Sequence, residues 1–187
     1  MTPEPTTRGS PAVIDRVSAA HPADRGQAFY TAGLPGIRGA AAGLIVERGR
    51  VLLVERTYGH PWPWVLPGGI LEAGESPLAA CRRELREELG LAARIHGLAV
   101  LDWVPGHARQ TPALHWVFTA SLPEGERIRL HTQELASHRW IDPADIGDYL
   151  PLHAARRIRT ALTAAERDTI YYLEHSRPLL PETVDVR

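Results

Sequence analysis

Residues 83–91 read "RELREELGL", and a helix through them would put Glu84, Glu87 and Glu88 on one turn. Positions i, i+3 and i+4 share a helix face, so these carboxylates repel one another. At roughly 100° per residue, Glu87 falls roughly −60° and Glu88 roughly +40° from Glu84. Leu78, Cys81, Leu85 and Leu89 occupy the adjacent stripe, so the core-facing side and the acidic side lie next to each other rather than opposite. Ser76 is placed to cap this helix, Pro77 to open it and Gly90 to close it.

A divalent cation would turn that mutual repulsion into attraction. Carboxylates are hard oxygen donors, and Mg²⁺ binds through a few of them, keeps several waters and completes its shell with substrate phosphate oxygens. Mn²⁺ is the alternative ion for such a donor set. Taken alone, the stretch also reads as a solvated helix face neutralised by neighbouring arginines, so its surroundings must decide.

Upstream, "AAAGLIV" (40–46) and "VLLVER" (51–56) are apolar runs joined by "ERGR", a pattern of two strands and a turn. The loop "YGHPWPWVLPGG" (58–69) then leads into the helix. Strands are expected near 93–104, 113–121 and 137–141, and helices over 152–163 and 165–175. Strands on both sides of a central helix, with more helix at the end, give an α/β class: a mixed β-sheet sandwiched between α-helices.

The chain has 187 residues and a formal charge of −1, enough for one domain with tails and a real core. Residues 1–12, rich in Pro, Thr and Gly, are expected to form a disordered tail and 13–37 an N-terminal extension. The domain is expected over 38–176 and a C-terminal tail over 177–187. The near-neutral charge leaves no footprint for nucleic acid or an anionic membrane, so the expected partner is small. Cys81 is the single cysteine, which excludes an internal disulfide framework and fits a reducing compartment. With no run of ~20 apolar residues to span a membrane, a soluble cytoplasmic protein is expected. The histidines, among them His60, His107, His115, His131 and His138, lack zinc-like spacing with cysteine.

Gly69, then Glu75 after five residues, then "RELREELGL" after seven more, resembles the Nudix box at each defining position. Those positions are Gly69, Glu75, Arg83, Glu84, Leu85, Glu87, Glu88, Gly90 and Leu91. The resemblance implies the Nudix fold and Mg²⁺-dependent hydrolysis of a diphosphate bond in a nucleoside diphosphate linked to another moiety. The substrate would be an NTP or oxidised NTP, ADP-ribose or a nucleotide sugar, and a homodimer is common in the family. A non-catalytic Nudix-fold nucleotide sensor is the alternative.

The same resemblance implies roles for individual residues. Glu87 and Glu88 match the core metal ligands, the Gly68 carbonyl a further one, and Glu84 a residue that is ligand or general base. Glu134, in "HTQELASHRW" (131–140), is the other candidate base. Glu75 and Arg83 match a salt bridge that braces the Gly69 loop against the helix. Trp62 and Trp64, close in sequence to the glycine pair, are candidates for stacking on substrate. An isomerase of related fold needs an active-site cysteine, whereas Cys81 falls on the core stripe.

Overall fold

The computed structural model describes residues 36–58, 61–106, 111–131 and 133–179. The expected tail over 1–12, and the extension over 13–37 except its last two residues, lie outside them. Strands β1 (Arg38–Glu47) and β2 (Arg50–Arg56) form the expected hairpin. Its two-residue turn has Arg48 at φ 51° and Gly49 at φ 75°, the backbone whose twist matches that of the flanking strands.

β1 organises the sheet. One edge runs parallel to β6 (Ala113–Ser121), with Ala40 opposite His115 and Ala42 opposite Val117. The other edge is shared: Ala40–Ala42 pair with β4 (Gly68–Ile70), and the far end turns into β2. β2 continues the sheet through β3 (Trp64–Val65) and β7 (Leu135–Ile141). Beyond β6 lies β5 (Arg94–Val104).

Helix α1 (Pro77–Leu89) covers one face of this mixed sheet and α3 (Leu152–Glu166), after the short α2 (Ile146–Tyr149), covers the other. Period-two alternation along β1 serves both layers: Ala41 and Ile45 join the α1 core, Leu44 the α3 core. A Cβ on Gly43 would lie 2.9 Å from Leu85 Cδ1, so the glycine lets α1 sit close against β1. α3 buries Ala155, Ile158, Ala161 and Ala164 at helical spacing, and the three alanines bring it close onto the sheet.

Two sequence expectations fail. Instead of a helix over 165–175, α3 ends at Glu166, Asp168 takes φ 49°, and β8 (Tyr171–Glu174) adds in parallel to β5. The open edge of β5 and the strand preference of the Thr169–Tyr172 run outweigh its apparent helical period. Strand β9 (Arg177–Pro178) pairs back on β8, carrying the sheet to Pro178. Leu78, expected in the core stripe, is 37% exposed, and Ala80 and Cys81 of the same end of α1 are fully buried in its place. Among the described residues no helix is long and apolar enough to cross a membrane.

Candidate active site

The caps of α1 are those read from sequence. Ser76 Oγ accepts from the Ala79 N–H at 3.2 Å, Pro77 opens the helix, and Gly90 at φ 66° donates to Arg86 O at 3.0 Å. The last carbonyls of the helix are taken by the following loop: Arg129 N–H donates to Leu89 O and His131 N–H to Glu88 O. These bonds fix the loop that carries Glu134, whose own carbonyl accepts from the Thr57 N–H at 2.8 Å.

The carboxylates have unequal surroundings. Glu88 is only 5% exposed and its Oε2 accepts from the Gly68 N–H at 2.7 Å. Burial pushes its carboxyl up to about 8, with the Glu84 and Glu134 charges adding to the push while the Gly68 bond and the Arg56 charge oppose it. Glu84 is raised for the same first reason, burial, and by the charges of Glu87 and Glu134 against the pull of Arg83. Glu84, Glu88 and Glu134 therefore lie within one another's fields. Glu87 and Glu134 are the exposed members, each with 57% of its side chain accessible.

Arg83 ties loop to helix. Its Nε and Nη2 donate to Glu75 at 3.0 and 2.9 Å, Nη1 to Glu84 at 2.8 Å and Glu87 at 3.1 Å, and Nη2 also to Ile70 O at 3.1 Å. The two-pronged bond from Arg83 holds the Glu75 carboxyl below the usual range, as a bidentate charged pair should. Two glycines make room for this packing. Gly68 has φ 143°, and a Cβ there would strike Ala41 O and Ala42 Cα; a Cβ on Gly69 would strike the Glu84 carboxylate.

The donor set suits a hard divalent ion: buried Glu88 lacks a full counter-charge, and Glu84 and Glu87 stand beside it. Among the described residues no three His, Cys, Asp or Glu side chains already converge in metal-binding geometry. Glu84 and Glu87 are instead turned onto Arg83, so ligation would require their carboxylates to rotate away from it.

A cavity of about 300 Å³ opens beside Gly68 and Gly69 and runs between β1, β6 and α3. Trp62 and Trp64, the candidates for stacking, are not among the residues that line it. Trp62 is 43% exposed, and Trp64 packs edge-on to Tyr149 at 5.6 Å with Arg139 over its ring. Arg56, not singled out from sequence, does reach the cavity. A bulge in β7 lies opposite, Glu55 pairing with Ser137 and the next residue with Leu135, while Arg56 keeps the α1-facing alternation of Leu52 and Val54 along β2. Its Nε is buried without a hydrogen-bond partner. An arginine closing an apolar strand, "VLLVER" (51–56), was the available signal. Cys81 is fully buried, and burial pushes its thiol up to about 12, so it offers no nucleophile.

A mixed sheet between helices, with a glycine loop braced onto a carboxylate-bearing helix, defines the hydrolase class that the box suggested. The NUDIX domain model matches residues 37–163, and the chain belongs to that family as one of its enzymes. Among its relatives, Phosphatase NudJ of Escherichia coli K12 is 30% identical over 104 residues, 55% of this chain and 67% of that protein. Among solved structures, a UDP-X diphosphatase superposes with a TM-score of 0.60 at 22% identity, covering 80% of this chain and 74% of that one. An ADP-ribose pyrophosphatase of Streptococcus suis gives a TM-score of 0.56 at 18% identity, covering 74% and 99%.

Proposed function

We propose that the chain hydrolyses the diphosphate bond of a nucleoside diphosphate linked to another moiety, with Mg²⁺, or Mn²⁺, as cofactor. The observation that carries this reading is Glu88. A carboxylate is buried against Gly68, within the fields of Glu84, Glu134 and Arg56, and Gly68 and Arg56 both line the cavity. Such a group costs stability unless a cation offsets it.

Glu87 and Glu88, with Glu84 and the Gly68 carbonyl, would hold the ion. When bound, it would neutralise charge on the diphosphate oxygens and lower the pKa of an attacking water. Glu84 and Glu134 are the two candidates for taking the proton from that water. Burial raises the Glu84 carboxyl, the direction that suits a general base, and the charge of Glu134 adds to that push. Arg56 would hold a phosphoryl oxygen, since its guanidinium reaches the cavity and one N–H has no other partner. Glu75 and Arg83 would act through geometry, keeping the Gly69 loop and Glu84 in register.

The substrate would be a small nucleotide such as an NTP, an oxidised NTP or a nucleotide sugar, and the setting cytoplasmic. Product release from a nucleotide panel with and without Mg²⁺ tests the reading. Comparing pH profiles of Glu84→Gln and Glu134→Gln separates the two bases, because loss of the true base removes the acidic limb of kcat.

A further inference from the structure

The cavity beside Gly68 has a second polar end. Alternation along β1 places Arg38 on the same strand face as Ala40 and Ala42, and Ala40 pairs with His115 on β6. Arg157 reaches the same end from α3. Gly68 and His115 flank β1 from opposite edges, two residues out of step, which separates them by roughly 12 Å. That is about the span of a nucleoside 5′-phosphate from its phosphate to the far edge of its base. Ala40, Ala42, Ala113 and Ala154 keep the space between open.

The chemistry of this end is one-sided. Among the described residues, the lining includes no Asp, Glu, Asn, Gln, Ser or Thr. Its polar side chains are arginines, His115 and Trp116, of which only histidine can accept a hydrogen bond. The nearby carboxylate, Asp102, is fully buried and already occupied. It accepts from Arg157 Nε at 2.6 Å, Ser176 N–H at 2.9 Å and Ser176 Oγ at 2.9 Å. Burial, and after it the Arg157 charge, hold the His115 imidazole down at about 4, consistent with surroundings rich in cationic donors.

The geometry points to the Arg38, His115 and Arg157 end as a base-recognition site that selects oxo-bearing bases, uracil, guanine or hypoxanthine, over adenine and cytosine. This rests on the proposed hydrolysis of nucleoside diphosphate derivatives at the Gly68 end. Guanine presents O6 and N7, and uracil O4, as acceptors, whereas adenine N6 and cytosine N4 are amino donors. An amino group facing arginine donors is left unpaired, and so is the donor it faces.

The test is binding, so it does not depend on turnover. The full chain with Mg²⁺ is titrated calorimetrically with the α,β-methylene diphosphates of uridine, guanosine, inosine, adenosine and cytidine. The oxo-base analogues should bind about 10- to 100-fold more tightly, the span expected when a donor is left unpaired. Arg38→Glu, at the exposed rim, supplies acceptors and should shrink or invert that ratio; His115→Gln should reduce it. Equal affinities, a preference for the amino bases, no binding at all, or a uniform loss in Arg38→Glu that leaves the ratio unchanged would each overturn the proposal. Product release from the same wild-type protein, compared with Glu87→Gln, reports separately on whether the hydrolysis reading stands.

Discussion

Replacing Glu88 by Gln should stabilise the metal-free protein at alkaline pH while abolishing its activity. In the fold, burial raises the Glu88 carboxyl from its ordinary 4.5 to about 8, so between these values the folded chain holds a proton that the unfolded chain has released. The contribution of Glu88 to metal-free stability is therefore fully present below 4.5 and is lost as pH rises through about 8. At 1.36 kcal/mol per pH unit, the displacement sets a ceiling of about 5 kcal/mol. Water reaching the cleft raises the effective dielectric and reduces the cost to about 2 kcal/mol. The glutamine is isosteric, keeps an acceptor for the Gly68 N–H, and removes the charge. Thermal unfolding in EDTA at about pH 8.5 should place the variant about 4 to 8 °C above wild type, and at about pH 5 the two should converge. Added Mg²⁺ should then raise the wild-type midpoint and not that of the variant. A variant less stable than wild type at the higher pH, or a metal-free wild type that gains stability across this window, would refute the reasoning.

Three further outcomes follow from the packing. Gly69→Ala drives a methyl group into the Glu84 carboxylate; kcat should fall by at least about 10-fold, with a far-ultraviolet spectrum checking that the fold persists. Glu75→Gln removes one of the three carboxylates hydrogen-bonded to Arg83, and titration of Mg²⁺ should give apparent affinity or activity about 10- to 100-fold lower. Arg157→Met strands the fully buried Asp102; urea unfolding should show a loss of about 3 kcal/mol, and Asp102→Asn in the same background should restore part of it.

The parts of the fold that could be read from sequence are those dictated locally. Ser76, Pro77 and Gly90 bracket α1 by capping chemistry alone, and Arg48–Gly49 makes the hairpin turn from two adjacent residues. The acidic face of α1 follows from helical spacing, which is why Glu84, Glu87 and Glu88 were found together. What was misread depends on partners distant in sequence. β8 exists because β5 offers it an edge, and nothing between Thr169 and Glu174 announces that edge. The contacts of Trp64 with Tyr149 and Arg139 likewise join residues far apart in the chain. The cavity that Arg56 reaches is lined from β1, β4, β6 and α3, elements far apart in the chain. The grouping of Glu134 with Glu84 and Glu88 spans the chain from α1 to β7; family resemblance suggested it, whereas helical spacing could not.

The most direct test is product release from unmodified and oxidised NTPs, nucleotide sugars, ADP-ribose and dinucleotides, with Mg²⁺ or with EDTA, for wild type and Glu87→Gln. The expected result is cleavage of one class at its diphosphate bond, lost on chelation and lost in the variant although the variant still folds. Cleavage that persists in EDTA or in Glu87→Gln, or nucleotides that bind wild type without ever being cleaved, would contradict a diphosphate hydrolase built on the α1 carboxylates.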